Sequence, residues 1–374
     1  MKIGIDAREF RRERMTGIGR YLRLFLEQAV AGDDGHRYVL FCNQETDIPL
    51  DHPRLKKVTA VEKMTWLWDQ VQLPLRMKKE RIDVFLTPYF KAPLAAPSPV
   101  VLIINDLIPL FFPEEHGWLS RTYFRLMSGI ATRRADRIVA ISMKTKEDLL
   151  KFFRLPAPRI SVVHLGLEER FRRQESSPAE ITKKYGLPQQ YILYVGNLSP
   201  HKNVKGLVQA YSLLPESLRK RHKLVLVSGQ ADQFRPGIEK KVKKTGMSAD
   251  VVFAGCLDDK DLPAVYRSAF LFVFPSFYEG FGLPPLEAMA CGCPVASSNA
   301  SSMPEVLGEA ALFFDPDDRP GMAGAMRRLA EDENLRTELQ RKGRARADVF
   351  SARRMYGQFM SILESAGQKE RPER

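Results

Sequence analysis

Cysteine is scarce. The four present, Cys42, Cys256, Cys291 and Cys293, form no CxxC and no paired spacing, which excludes a disulfide scaffold or a structural zinc ribbon and points to a reduced, cytoplasmic compartment. Cys291-Gly-Cys293 has no histidine at ligand spacing and reads as two buried thiols. Long apolar runs are also missing. Nothing approaches the ~18 residues of a spanning helix, and the opening MKIGIDAR puts an acid at position six, where a secretory signal needs a basic and then an apolar region. Any membrane contact is therefore expected to be peripheral. No repeat recurs at a fixed period. The basic residues stand beside no RNP, zinc-finger or helix-turn-helix signature, so nucleic acid is not an expected partner.

What is there is globular. The 374 residues are 44% hydrophobic and 28% charged, with a formal charge of +13, a composition that fits two folded domains and favours an anionic partner. The excess leans to the first half: residues 1–175 hold 30 Lys+Arg against 22 Asp+Glu, the remainder 28 against 23. Short β-branched runs alternate with longer amphipathic segments, the signature of parallel α/β sheets. Strands are predicted at 2–5, 37–41, 84–87, 100–104, 137–141 and 160–164, then at 191–195, 223–228, 251–254, 271–274, 294–297 and 311–314. Residues 168–190 hold charges, Ser-Ser-Pro and Gly-Leu-Pro but no strand, and read as a linker plus a short helix. The expected domains are therefore 1–175 and 176–350. Residues 351–374 form a C-terminal helix, expected to pack back toward the first domain, and a frayed tail. Two doubly wound, Rossmann-like sheets facing each other across a cleft bind ligands at the carboxyl ends of their strands.

The segment LFVFPSFYEGFGLPPLEAMACGCPVAS, residues 271–297, reads as a strand, a glycine-bearing loop and a helix opened by Pro284-Pro285. Free N–H groups at such a helix start, approached closely because Gly280 and Gly282 lack side chains, suit a phosphate. Glu287 is expected in the first turn, placed to accept from vicinal ribose hydroxyls, and Glu279 to hold hydroxyls of a second polar group. Glutamate in a first turn is favoured by the helix dipole alone; the combination of both acids with the loop is what carries the functional reading. In YVGNLSPHKN, a strand ends at Gly196 and a helix begins near Asn203, leaving Lys202 at the mouth of the loop as a point charge for a diphosphate. In the first half, Met15 to Tyr21 (MTGIGRY) form a glycine-bearing loop leading into a helix at 21–30. It is no dinucleotide fingerprint, since position 22 is Leu. Asp315-Pro-Asp317 reads as a helix cap rather than a metal pair. Tyr278, Trp66 and Trp68 read as core more readily than as ring-stacking groups.

EGFGLPPLE, YVGNLSPHKN with Lys202, TGIGRY and PEVLGEAALFFDP together resemble the retaining GT-B glycosyltransferases of family four, from Ile3 to about Phe350. The loops INDLIPLFFPEEH and VAISMKTKEDL resemble the branch that builds bacterial surface polysaccharides, with many mannosyltransferases. The resemblance implies that Glu279 binds donor-sugar hydroxyls, Glu287 the ribose, and backbone amides of Gly280, Phe281, Gly282 and Leu283 the sugar and diphosphate. Lys202 neutralises the leaving diphosphate beside Gly196 and Asn197, and Gly17 with Gly19 lets the first domain close on it. No metal and no cofactor are implied. The chain departs from the pattern at Asn197, where an arginine is frequent, at His201 in His-Lys-Asn, and at Asn105-Asp106, where His-Asp is common; Asp106 is left as the polar contact to sugar or acceptor. The implied activity is metal-independent transfer of a hexosyl unit from a nucleoside diphosphate sugar, GDP-mannose by preference and a UDP-hexose next, to a glycan or lipid-linked glycan, at the inner face of an anionic membrane. A nucleotide-sugar epimerase or hydrolase and a catalytically silent binding subunit are the rival readings.

Overall fold

In the computed structural model, which describes residues 1–11, 16–32, 34–173, 177–229 and 232–368, each β-branched run becomes a strand of one of two wholly parallel sheets. The chain divides into a first unit, Met1–Gly166 with Ser351–Arg374, and a second, Leu167–Phe350. The boundary expected at 175/176 falls among residues outside those described, as do Met15 and the tail beyond Gln368. Leu167 to Arg173 go with the second unit for a physical reason: Phe171 is buried there against Tyr266, ring to ring at 6.0 Å, and Arg172 donates to the Asp348 carboxylate at 3.2 Å.

The first sheet contains β1 (Lys2–Asp6), β2 (Arg37–Cys42), β3 (Leu55–Thr59), β4 (Val84–Thr87), β5 (Val100–Ile104), β6 (Arg137–Ala140) and β7 (Ile160–Val162), in the order β3-β2-β1-β4-β5-β6-β7. All but β3 are predicted. Its LKKVT sequence carries two exposed lysines and forms the sheet edge; a short, lysine-bearing edge strand has little apolar signal to read. One face of the sheet packs Trp68, Leu73, Met77, Phe124, Leu149 and Phe153 in a single cluster. These come from the helical stretch 65–80 and the helices Trp118–Arg134 and Met143–Phe153. The helices Gly17–Ala31 and Ala352–Gly367 pack together elsewhere in the unit, with Phe25 edge-on to Phe359 at 5.9 Å and Tyr38 Oη 2.8 Å from Tyr356 Oη. His36 Nε2 lies 3.1 Å from Glu364 Oε1, so the last helix is fastened by polar as well as apolar contacts.

The second sheet contains β8 (Tyr191–Val195), β9 (Lys223–Val227), β10 (Val251–Gly255), β11 (Leu271–Phe274), β12 (Val295–Ser298) and β13 (Leu312–Phe314), in the order β10-β9-β8-β11-β12-β13. The order reverses between β8 and β11, so loops leaving these two central strands diverge to opposite sides and open a crevice at their carboxyl ends. Cys291 and Cys293 are buried behind it; burial raises the Cys291 thiol to about 12 and the Cys293 thiol well above its usual value. The cap of the helix Arg319–Glu331 is Asp318, which accepts from the Gly321 N–H, rather than Asp315 or Asp317; Asp315 instead accepts from the Asp317 N–H at 2.8 Å.

Candidate functional site

The crevice in the second unit is built by β8, β11 and the loops that follow them. β8 ends at Val195; the N–H of the next residue, Gly196, donates to the Val227 carbonyl at 3.0 Å, and the chain turns under Tyr194, whose hydroxyl donates to the Asn197 carbonyl at 2.6 Å. Asn197 is itself exposed. Burial, then the charges of Glu279 and Asp232, push the Tyr194 phenol far above its ordinary value, so it acts as a fixed donor. Lys202 closes a short turn, Pro200–Lys202, and Asn203 follows in the left-handed region at φ 55°. The Asn203 amide donates to the carbonyls of Pro275 at 3.2 Å and Pro316 at 2.8 Å. It thus ties the Lys202 turn to the end of β11. His201 lies buried in that turn, and its carbonyl accepts from the Phe277 N–H at 2.8 Å.

These ties bring together two residues 77 positions apart. Lys202 Nζ sits 2.7 Å from Glu279 Oε1 and 2.8 Å from Oε2, and 5.5 Å from the Phe274 ring centroid. Both side chains are largely withdrawn from solvent. Their charges cancel, so the pair rests without a ligand, while a competing anion can draw the ammonium away from the carboxylate. Two serines not singled out from sequence hold the loop: Ser301 Oγ accepts from the Glu279 N–H at 3.1 Å and donates to its carbonyl at 2.8 Å, and Ser302 Oγ reaches the carbonyls of Glu279 and Phe281. A signal existed in the Ser-Ser pair just beyond β12, but its target is set only by the sheet.

Gly282 precedes the helix Leu283–Ala290 at φ 95°, and a Cβ there would fall 2.2 Å from Met303 Cε; only glycine fits both the turn and the packing. Gly280, Phe281 and Gly282 are buried in the loop, and Leu283 opens the helix with no acidic group in its first turn. Glu287 is in the second turn rather than the first, since the helix starts at Leu283 and not at the prolines. It is only 2% exposed, and its Oε2 accepts from Tyr266 Oη at 2.9 Å.

Gly17, Gly19 and Asp106 belong to the first unit. Gly17 and Gly19 lie inside the helix Gly17–Ala31, not in a loop before Tyr21: Thr16 is the cap, and its Oγ1 accepts from the Gly19 N–H at 3.1 Å. Among the described residues, a Cβ at Gly17 would meet nothing within 4 Å. Asp106, half-buried after β5, accepts from the Ile108 N–H at 3.0 Å. Beside them is a buried charge network absent from the sequence reading. Arg8 donates to Asp6 at 2.7 and 2.9 Å, to Asp69 at 2.7 Å and to Glu62 at 3.0 Å, and Lys91 pairs with Asp69 at 2.5 Å. Burial works against the Arg8 charge, but Asp6 and then Asp69 outweigh it and raise its pKa. Glu9 accepts from Tyr89 Oη at 3.2 Å and from Thr16 Oγ1 at 2.5 Å, joining the network to the helix start. The only signal was the charge alternation Asp-Ala-Arg-Glu directly after β1. Of the aromatic residues in question, Trp68 and Tyr278 are buried, whereas Trp66 is 60% exposed.

Two sheets of this order, with a glycine loop and helix start at the carboxyl ends of the second, define a GT-B glycosyltransferase scaffold. The chain belongs to the glycosyltransferases: residues 15–170 match the Glycosyltransferase Family 4 model and residues 179–346 the Glycosyl transferases group 1 model. It is 38% identical over 255 residues to the O-antigen chain mannosyltransferase B of Escherichia coli, a stretch covering 67% of this chain and 66% of that protein. It is 36% identical over 262 residues to the serotype-specific mannosyltransferase WbdA of Escherichia coli, covering 68% of this chain and 32% of that much longer relative. The Anabaena Alr3699/HepE structure, solved with UDP and glucose, superposes with a TM-score of 0.77 at 18% identity over 98% of this chain and all of that one.

Proposed function

We propose that the chain is a retaining, metal-independent hexosyltransferase that moves mannose from GDP-mannose to a hydroxyl of a lipid-linked glycan during cell-envelope polysaccharide synthesis. The observation that carries this reading is the Lys202–Glu279 pair, 2.7 Å apart beside the Gly280–Gly282 loop. A donor diphosphate entering there offers Lys202 a stronger anion, and helix-start N–H groups share the load. Glu279, released from the ammonium, turns to the sugar hydroxyls. The mannosyltransferase relatives favour GDP-mannose.

In the step itself, the bond from the anomeric carbon to the phosphate oxygen breaks, and the diphosphate keeps the electron pair. The acceptor oxygen forms its bond on the same face, and its proton passes to the departing phosphate oxygen. Lys202 holds the charge that develops there, and Glu279 orients rather than attacks. The work assigned to these two side chains needs no metal. Asp106 serves as the polar contact to sugar or acceptor. The acceptor's lipid carrier places the enzyme at the inner, anionic face of the membrane as a peripheral protein. A UDP-hexose is the second donor reading, favoured by the UDP and glucose bound in the Anabaena structure.

The test is incubation with GDP-mannose or a UDP-hexose, with and without a cell-envelope glycolipid fraction. Donor loss only in the presence of acceptor is the expected result. Loss without acceptor would make the chain a hydrolase or epimerase, and nucleotide binding without turnover a silent subunit.

A further inference from the structure

Large apolar side chains are exposed very unevenly in this molecule. Among the described residues, ten of those left in solvent fall between positions 61 and 126, and only Leu213 and Val349 belong to the second unit. None comes from the helices Gly17–Ala31 or Ala352–Gly367. The ten sit on the helical stretch 65–80, on the helix Trp118–Arg134, and on the segments beside them. These two helical elements contribute to one core cluster and are joined at the surface. Gln70 donates to the Ala92 carbonyl at 3.2 Å and accepts from the Leu94 N–H at 2.9 Å, and Phe90 of the same loop packs on Phe124 at 4.7 Å and Tyr123 at 6.2 Å.

The most exposed of these side chains are Trp118 at 72%, Leu119 at 66%, Met64 and Leu75 at 63% and Trp66 at 60%. Helical spacing puts Trp118 with Arg125, and Leu119 with Leu126 and Arg133, on common stripes of the outer face. The helix Trp118–Arg134 has four arginines and no acidic residue. Of the acids around 65–80, Glu62 and Asp69 are committed to Arg8, and Glu80 pairs with Lys56 at 2.6 Å. Lys63, Lys78, Lys79 and Arg81 stand exposed around the patch. Glu114 and Glu115 precede the helix Trp118–Arg134, but cations outnumber acids on and beside both helical elements, and tryptophan and leucine at the surface among that excess match the interfacial zone of a bilayer bearing anionic headgroups. A protein partner of ordinary mixed charge would leave this excess of arginine unanswered.

We propose that Trp66, Trp118, Leu119 and Leu126, with Arg125 and Arg133, form the surface on which the first unit docks onto an anionic lipid bilayer. This deepens the reading of a peripheral enzyme with a lipid-linked acceptor and rests on it only for the choice of membrane. Binding is read without turnover, so its failure is distinguishable from failure of the transfer reaction. Trp68, the third tryptophan, is buried and serves as an internal reference.

The experiment is co-sedimentation of the full chain with phosphatidylglycerol/phosphatidylethanolamine vesicles and with phosphatidylcholine vesicles, alongside tryptophan emission. Expected are at least tenfold stronger partition onto the anionic vesicles, a blue shift on binding, and weakening in 0.5 M salt. A Trp66→Ser/Trp118→Ser/Leu119→Ser variant should lose at least tenfold in partition with an unchanged melting temperature and undiminished turnover of a water-soluble acceptor. Arg125→Glu/Arg133→Glu should abolish the preference for anionic lipid. Full-strength vesicle binding by the triple serine variant would overturn the proposal. So would absence of vesicle binding together with self-association that the same variant abolishes.

Discussion

The first unit draws Asp6, Arg8, Glu62, Asp69 and Lys91 into a network at the carboxyl edge of its sheet and leaves two tryptophans in water; the second pairs Lys202 with Glu279 at the corresponding edge and, among the described residues, covers nearly all its large apolar side chains. The two sheets are alike in being parallel and in placing loops at strand ends. They differ in what the charges are free to do. Arg8 is gripped by three carboxylates and has no exchangeable partner, so that network is architecture. Lys202 has one carboxylate, which a ligand anion can replace, so that pair is suited to chemistry.

Breaking the first arrangement should cost the most. Arg8→Ala leaves Asp6 buried without its cation and Asp69 with Lys91 alone and should lower stability by about 3–5 kcal/mol, measured by denaturant unfolding; a loss under about 1 kcal/mol would mean that the carboxylates find water or protons easily. In the second unit, Glu279→Ala removes the group assigned to the donor sugar. Turnover should fall by roughly 10²–10³-fold, read as donor consumption in the presence of acceptor, with little change in melting temperature. The contrast between a structural network and a pair proposed to act in catalysis rests on that difference of readout.

Smaller effects sharpen the comparison. Gly282→Ala places a methyl against Met303 at an unfavourable φ and should cost about 1–3 kcal/mol, while displacing the loop enough to raise KM for the donor. His222 stacks on Phe270 at 4.0 Å, and burial, then the charges of Arg221 and Arg336, lower its pKa to about 4. Between its unfolded value near 6.5 and about 4, the unfolded chain binds a proton that the folded chain does not, so stability falls as pH falls through that window. His222→Phe should flatten this acid slope, by on the order of 2 kcal/mol after solvent screening is allowed for. Urea midpoints at pH 7 and pH 4.5 for both proteins decide it.

Local chemistry made most of the scaffold legible. Runs such as YILYV and LFVF are short, β-branched or aromatic and flanked by glycine or proline, and they became buried central strands. LKKVT escaped because an edge strand exposes its lysines and has only one neighbour to pair with. EGFGLPPLE marked the loop and the helix after it; the helix begins at Leu283, one residue before its prolines, so Glu287 falls in the second turn, and its carboxylate accepts from Tyr266. The pairing of Lys202 with Glu279 was not legible at all: it depends on Asn203 stapling two loops 72 and 113 residues away, contacts that only the sheet order creates. The same holds for Arg8 and Asp69, 61 residues apart. Trp66 resisted reading for the opposite reason, since an exposed tryptophan and a core tryptophan look alike two positions apart.

The central claim, that Lys202 exchanges Glu279 for a donor diphosphate, is tested most directly by calorimetric titration of GDP and UDP into the wild-type chain, Lys202→Ala and Glu279→Ala. The account predicts that the preferred nucleotide binds Lys202→Ala at least tenfold more weakly, and Glu279→Ala as tightly as wild type or more so, because the competing carboxylate is gone. Equal affinity for all three proteins, or weakening only in Glu279→Ala, would contradict it.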